Sequence, residues 1–500
     1  MSNFRVDRLV VIGLSVVLGL PMLTVIGQVQ FDPQRLINFF PDDAFYYLQV
    51  AYNMGLSGAP SFDGANRTTG FHPLQVVFSM PIVAIAGKLN ALLVMFVFSS
   101  IAIALALIFQ VRAVGLWGHP ASLFAVLAAL APLNIHIIAA SGMESALVVL
   151  ISAVLFHELR AVEIEGRPSR FQGLGVGLAA ALLILSRLDM VIPLLVIGLY
   201  FLGSRLQERA YGSIALAGLG SSMPVIVYLI WVWKEQGTIF PVSSIVKYGT
   251  ERAEFSSILN TLTGNSLIGF VILSLIVVLP AAGLVAAGVS RSQRGWGLPA
   301  AVFVSGLVYI AYVLLVAHNP FRWYLAYPLG VATYALLYLL YAFRDALPQM
   351  RVSVWAALVL SVLIVNTAFM VRLAQIDTVG SSLLDLTHVI NEILPGGAIL
   401  ATHDAGIVGY FSSVPVHNLD GLANSLSNWE MFLRDRDMLG YARVHGVDHL
   451  LLRDAALPEL YSAVRHYGVS EEPEVLLTYP VLRMSDVTLL RLYGLTSHAD

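Results

Sequence analysis

Phe40-Pro41-Asp42-Asp43-Ala44-Phe45-Tyr46-Tyr47 follows the first long apolar run of the chain, and a polar, glycine-punctuated segment continues from it to Gly70-Phe71-His72-Pro73. Adjacent carboxylates with a row of aromatics, set at the end of an apolar run, read as a loop that carries chemistry on a frame made by the rest. The frame is a membrane one. Of 500 residues, 58% are hydrophobic and 12% charged, whereas soluble domains run at roughly 45–50% apolar and 25% charged. A formal net charge of -3 gives no basis for a nucleic-acid partner. The absence of cysteine excludes thiolate metal sites, disulfides and cysteine nucleophiles.

Outward from that loop, Arg5 and Arg8 precede an apolar run from Leu9 to Gly27, too long for a signal-peptide core and read as a retained first span. Further apolar segments fall at 90–111, 119–134, 143–158, 171–187, 190–203, 211–232, 264–288, 298–316, 322–342 and 352–372. With the first this makes about eleven crossings. Every second connection is short and arginine-bearing: Arg112, then Arg160, Arg167 and Arg170, then Arg205 and Arg209, Arg291 and Arg294, Arg344 and Arg351. By the positive-inside rule these face the cytoplasm. The parity holds only if Pro73 to Gly87, which is apolar but short and contains Pro81, lies at the outer interface as a helix and does not cross. The N-terminus is then cytoplasmic. The loops 28–89, 135–142, 233–263 and 317–321, and the tail, lie outside.

Beyond residue 372 the pattern changes. Short strand-like runs at Ala398 to Thr402, Val414 to Leu419, His449 to Leu452 and Val487 to Leu492 alternate with helical stretches at Ser381 to Ile393 and Asn428 to His445. The expected organisation is a transmembrane domain over 1–372, with the loop 28–89 and its interfacial helices, followed by a small extracytoplasmic α/β domain over 373–500.

Apart from the cytoplasmic arginines, the notable polar residues at membrane boundaries fall on the predicted outer side: Asp42 and Asp43; His72 ahead of the interfacial helix; Glu144 at the start of a span; Arg187 and Asp189 in a turn; Lys247 and Tyr248 in the middle loop; Arg322 and Tyr324 after His318-Asn319-Pro320. Ions at membrane depth line cavities or pair with one another. Adjacent residues on a helix diverge by about 100°, so one of the two aspartates can cap a helix while the other faces a substrate as a general base. An aspartate pair also suits oxygen ligation of a divalent cation, although no further acids cluster with it. Arg187, Lys247 and Arg322 suit a phosphate, with Glu144 or Asp189 as the alternative partners of Arg187. Asn66-Arg67-Thr68 matches a glycosylation acceptor pattern.

Asp42-Asp43-Ala44-Phe45-Tyr46-Tyr47, Gly70-Phe71-His72-Pro73-Leu74, Ser141-Gly142-Met143-Glu144-Ser145, Ser186-Arg187-Leu188-Asp189 and Asn418-Leu419-Asp420-Gly421-Leu422, in this order and on one side of the membrane, resemble the GT-C superfamily of polyprenyl-phosphate-sugar-dependent glycosyltransferases. Within it the chain is similar to the bacterial protein-mannosyltransferase and aminoarabinose-transferase branch and to the actinobacterial arabinofuranosyltransferases. The resemblance implies a GT-C-like α-helical polytopic membrane fold in the cytoplasmic membrane. It also implies transfer of a sugar from a polyprenyl-phosphate donor to a hydroxyl on a lipid, glycan or protein acceptor, with inversion. Asp42 or Asp43 takes the role of base, and Arg187, Lys247 or Arg322 holds the lipid phosphate. Some members use a divalent cation and others none; this chain lacks an Asp-x-Asp in its first loop, so no cofactor is expected, with a divalent cation left open. His403, Asp404 and Asp420 in the tail either recognise the acceptor or serve as turn and cap residues. The rival readings are a lipid or glycan flippase, which calls for charges through the span interiors, and a noncatalytic envelope scaffold.

Overall fold

The computed structural model of the chain describes residue 27 and residues 33–116, 141–165, 170–250, 252–264, 267–289, 296–318, 320–342, 379–453, 474–483 and 486–495. Among them, seven helices are long and apolar enough to cross a membrane: Pro73–Val114, Ser145–Glu163, Leu188–Gln207, Tyr211–Gln236, Gly269–Gly288, Gly297–Leu315 and Arg322–Ala342, with Phe171–Ser186 as a shorter apolar helix. Each matches a span expected from the sequence. The expected spans at 119–134 and 352–372, and all of 9–27 but residue 27, lie outside the described residues. Helices are the form such runs must take, because hydrocarbon offers no partner to an open backbone N–H or C=O.

The chain divides into two compact units, one drawn from 1–31, 96–228 and 252–374, the other from 32–95, 229–251 and 375–500. The first is helical. Among its described residues Tyr309, Tyr327, Tyr334, Phe96, Phe156 and Phe303 are the largest fully buried side chains, with the Phe156 ring 5.4 Å from Tyr334 and 6.4 Å from Tyr327. The hydroxyl of Tyr327 is satisfied by Ser305 Oγ at 2.7 Å, as a buried phenol requires.

The second unit gathers the first loop, the middle loop and the tail. The helix Asp42–Ser57 buries a continuous run from Ala44 to Ala51 and stops at Gly58 in a left-handed cap. Pro73–Val114 is broken at Gly87, whose φ of 75° and ψ of 165° are not helical. The apolar stretch set apart by charge parity therefore ends in a backbone break, at a residue free to take positive φ. Just past the break, Lys88 Nζ donates to the Tyr410 carbonyl at 2.8 Å while the Tyr410 hydroxyl donates to the Lys88 carbonyl at 2.7 Å.

The tail carries a five-stranded sheet in the order β2-β1-β3-β5-β4, with β1 Leu400–Thr402, β2 Val416–Asn418, β3 His449–Arg453, β4 Glu474–Arg483 and β5 Asp486–Gly494. β1 is parallel to both β2 and β3, and β5 runs antiparallel to β3 and β4. All three residues of β1 are buried, as the centre of a parallel layer requires. Helix Val379–Ile393 buries Leu383, Leu384, Leu386, Thr387 and Ile390. The single helix expected from Asn428 to His445 is two pieces: a wide turn at Trp429–Leu433 and a helix Met438–His445. Arg436 at φ 60° breaks the chain direction, and the Asp437 side chain caps the new helix by accepting from the Gly440 N–H at 2.9 Å.

Candidate active site

Asp42 opens the helix Asp42–Ser57, but its carboxylate caps a different helix. Oδ1 accepts the Ile407 N–H at 2.8 Å and Oδ2 the Gly406 N–H at 3.1 Å, at the start of the helix Gly406–Phe411. Only glycine fits at 406: an added Cβ would overlap the Asp42 carbonyl oxygen and lie 2.8 Å from its Cγ. The rings of Tyr410 and Phe411 lie 5.5 and 5.7 Å from that of Phe45, so aromatic packing clamps the two helices together. One hydrogen bond to each oxygen fixes the carboxylate plane and leaves a lone pair on each.

Burial pushes the Asp42 carboxyl up to about 7 against the pull of those N–H groups, and the charges of Asp43 and Asp420 add to the rise. Unfolded, the same group titrates near 3.8. Between about pH 4 and pH 7 the folded protein therefore holds a proton that the unfolded chain has lost, and this contribution to stability declines as pH rises through that window. The melting temperature of wild type minus that of Asp42→Asn is expected to be largest at the acid end and to shrink towards pH 8. A difference that does not change with pH would contradict the raised value.

Tyr46, one helical turn beyond Asp42, extends the network. Its hydroxyl accepts from the Ala405 N–H at 2.8 Å and Asn418 Nδ2 at 3.0 Å, and donates to Asp420 Oδ2 at 3.2 Å. Burial, then the charges of Asp420, Asp42 and Asp43, keep it a phenol. Asp420 also takes the Asp404 N–H at 2.7 Å, Asn418 Nδ2 at 3.1 Å and His403 Nδ1 at 3.0 Å. Asp404 stands at φ 46° and pairs with Arg453. His403, Asp404 and Asp420 therefore hold one turn of backbone beside Asp42. Tyr46 and Asn418 belong to the network; both stand in stretches that carry the resemblance, but neither is given a role from the sequence, and the signal for Tyr46 was its i, i+4 spacing from Asp42.

Asp43 is half-buried in the first turn of the same helix, and its charge acts on both Asp42 and Tyr46. His72 is half-buried, its ring 6.0 Å from that of Tyr47. Lys247 and Tyr248 lie on the helix Val242–Gly249, anchored by Val242 and Val246 in a core with Leu419 and Trp429. Lys247 is half-buried and Tyr248 exposed. The Asn66 amide is engaged at both ends, by Asp63 Oδ2 and Asn428 Nδ2. Among the described residues no group of three or more His, Asp and Glu side chains is placed to hold a metal ion.

In the helical unit, Arg187 is 3% exposed and each of its three nitrogens makes a bond within the protein. Nη1 bonds Glu144 at 2.5 Å, while Nε and Nη2 grip Asp189 at 2.8 and 3.1 Å. The guanidinium lies 3.6 Å over the Tyr324 ring, and the Tyr309 hydroxyl donates to Asp189 at 3.0 Å. Arg322 is the contrast. It is exposed, has no hydrogen-bond or ion-pair partner among the described residues, and lies against Gly264, whose φ of 61° favours glycine. Phe321 and Trp323 stack on either side of it in sequence, centroids 4.7 Å apart.

No curated protein matches the chain by sequence. A family model described as a domain of unknown function, DUF8728, matches residues 372–493. Among solved structures, ArnT from Cupriavidus metallidurans bound to undecaprenyl phosphate is similar over 96% of this chain and 98% of its own, with 14% identity and a TM-score of 0.58. The apo form of ArnT gives 0.56 at 15% identity, over 94% of this chain and 98% of that one. The apo oligosaccharyltransferase of Archaeoglobus fulgidus gives 0.53 at 12% identity, over 90% of this chain and 70% of that one. At such identities the likeness is one of fold alone, and with seven apolar helices of spanning length among the described residues it makes the chain a multi-pass membrane protein with a GT-C-like fold.

Proposed function

We propose that the chain is a glycosyltransferase of the cytoplasmic membrane, moving a sugar from a polyprenyl-phosphate donor to an acceptor hydroxyl on the outer face. The observation that carries this reading is the near full-length likeness to ArnT solved with undecaprenyl phosphate. The alternation of arginine-bearing loops supports an inside N-terminus and an outside tail.

In this reading Asp42 is the base. It takes the proton of the acceptor hydroxyl, whose oxygen attacks the anomeric carbon. The bond from that carbon to the phosphate oxygen breaks, and polyprenyl phosphate leaves as the anion with inversion at the sugar. Two backbone N–H groups hold Asp42 in place, and a pKa near 7 gives it more proton affinity than an ordinary carboxylate while leaving a large ionised fraction at neutral pH. Asp43 raises that basicity through its charge.

Arg322 is the guanidinium we assign to the donor phosphate, because each nitrogen of Arg187 already bonds Glu144 or Asp189 and its charge is matched there. Arg322→Ala is expected to raise the KM for donor by roughly 10- to 100-fold, the scale of a charged hydrogen bond, with kcat changed much less. Arg322→Lys should recover part of the loss, since it keeps the charge and loses the fork. A donor KM unchanged in both would remove Arg322 from the role.

The function itself is tested by sugar transfer from a labelled polyprenyl-phosphate donor in membranes, alongside mass spectrometry of envelope glycans with and without the gene. No transfer from any polyprenyl-phosphate donor, together with unaltered envelope glycans, would overturn the reading.

A further inference from the structure

The unit that carries Asp42 also contains a half-open cavity of about 220 Å³, lined by residues 67–69, 235–236, 425–427 and 430. It is smaller than the roughly 300–1,000 Å³ of pockets for drug-sized ligands, a size suited to a single sugar ring. Almost every lining side chain ends in a polar group. Arg67 pairs with Glu235 at 3.1 Å, Gln236 meets the Thr69 hydroxyl at 2.5 Å, and Glu430 is exposed with no partner among the described residues. Leu426 is the single aliphatic member.

The charges decide among ligand classes. One guanidinium against two carboxylates leaves the lining with a formal charge of -1, which disfavours phosphate or an acidic sugar. No strand of the sheet lines the cavity, so an extended peptide finds no backbone ladder to join. A cavity of about 220 Å³ with Leu426 as its single aliphatic side chain is too small for a polyprenyl or acyl chain. Carboxylate, carboxamide, guanidinium and hydroxyl side chains set around a small cavity do match ligand hydroxyls, each of which donates and accepts.

A buried amide ladder ties this cavity to the network around Asp42. Asn428 Nδ2 donates to Asn424 Oδ1 at 2.9 Å, Asn424 Nδ2 to the Asn418 carbonyl at 2.8 Å, and Asn418 Nδ2 to Asp420 and Tyr46. Asn424 Oδ1 also takes the N–H of Ser425 on the cavity wall at 2.8 Å. The three asparagines are 1–4% exposed, so the wall is held rigidly with respect to Tyr46 and Asp420.

We propose that this cavity binds the acceptor as a neutral, hydroxyl-rich glycan residue, gripped by Arg67, Glu235, Gln236 and Glu430. The proposal rests on the glycosyltransferase reading for the word acceptor, and its test does not involve transfer. Full-length protein in lipid nanodiscs, without donor, is titrated with a panel of neutral disaccharides built from hexopyranoses and pentofuranoses. A uronate-containing disaccharide and a five-residue serine/threonine peptide complete the panel, and binding is read by saturation-transfer NMR. Expected are saturable binding of at least one neutral disaccharide, none of the uronate or the peptide, and affinity about tenfold weaker in Arg67→Ala and in Glu430→Ala. Glu430 is exposed and unpaired among the described residues, so Glu430→Ala should melt as wild type; Arg67→Ala leaves the largely buried Glu235 without its partner, and its binding is read together with the double variant Arg67→Ala, Glu235→Gln, which removes both charges. Absence of binding by every neutral disaccharide, equal binding in both variants, or binding of the peptide in its place would overturn the proposal. Disaccharide binding lost in the variants, in a protein that transfers no sugar, would keep the site and remove the transferase reading; transfer without such binding would do the reverse.

Discussion

Asp42→Asn is expected to lower kcat for sugar transfer by about 10²–10⁴-fold, the usual contribution of a positioned base, in a protein that still folds. Asparagine keeps one oxygen to accept from Ile407 or Gly406 and so retains part of the cap, at a cost of about 1 kcal/mol. Asp43→Asn separates basicity from structure. Removing its charge should lower the pKa of Asp42 and move the acid limb of the pH–rate profile to lower pH, with kcat at neutral pH reduced far less than in Asp42→Asn. If instead Asp43→Asn abolishes transfer while Asp42→Asn retains it, the two roles are exchanged; an unmoved acid limb in an active Asp43→Asn would deny the coupling.

What the sequence carried, and what it did not, follows from the range of each interaction. A crossing helix needs about 20 apolar residues in a row, a local property, and each expected span within the described residues has its helix. The acidic stretch was visible for the same reason, and so were the pairing partners of Arg187, two positions away in Asp189 and at a neighbouring boundary in Glu144. The partners of Asp42 were not. Gly406 and Ile407 lie 364 and 365 positions further on, in a helix of six residues too short to announce itself by periodicity.

β4 escaped for another reason. Pro480 interrupts Glu474–Arg483 and argues against a strand, yet β4 lies at the edge of the sheet, where a missing N–H has no ladder to break. The failed helix from Asn428 to His445 is the opposite case. A pattern compatible with one helix was overridden by a left-handed residue at Arg436 and a new cap at Asp437, features that depend on backbone geometry and leave little trace in hydrophobic spacing.

Arg187 gives the second large effect, one that sequence chemistry alone assigned to the donor phosphate as readily as to pairing. Glu144 is 1% and Asp189 15% exposed, so Arg187→Ala leaves two poorly solvated carboxylates without their counter-charge and takes the cation from the face of Tyr324. A loss of about 3–5 kcal/mol is expected, seen as a sharp fall in protein level and melting temperature before any kinetic measurement is possible. The triple change Arg187→Met, Glu144→Gln, Asp189→Asn removes all three charges together and should restore most of the stability, because the penalty comes from unpaired charge and not from the loss of an attraction. If that triple variant transfers sugar with a donor KM close to wild type, the cluster is a structural pin in the helical unit and the phosphate contact belongs to Arg322. A triple variant that is folded but needs far more donor would return the phosphate to Arg187, and Arg322→Ala would then leave donor use untouched.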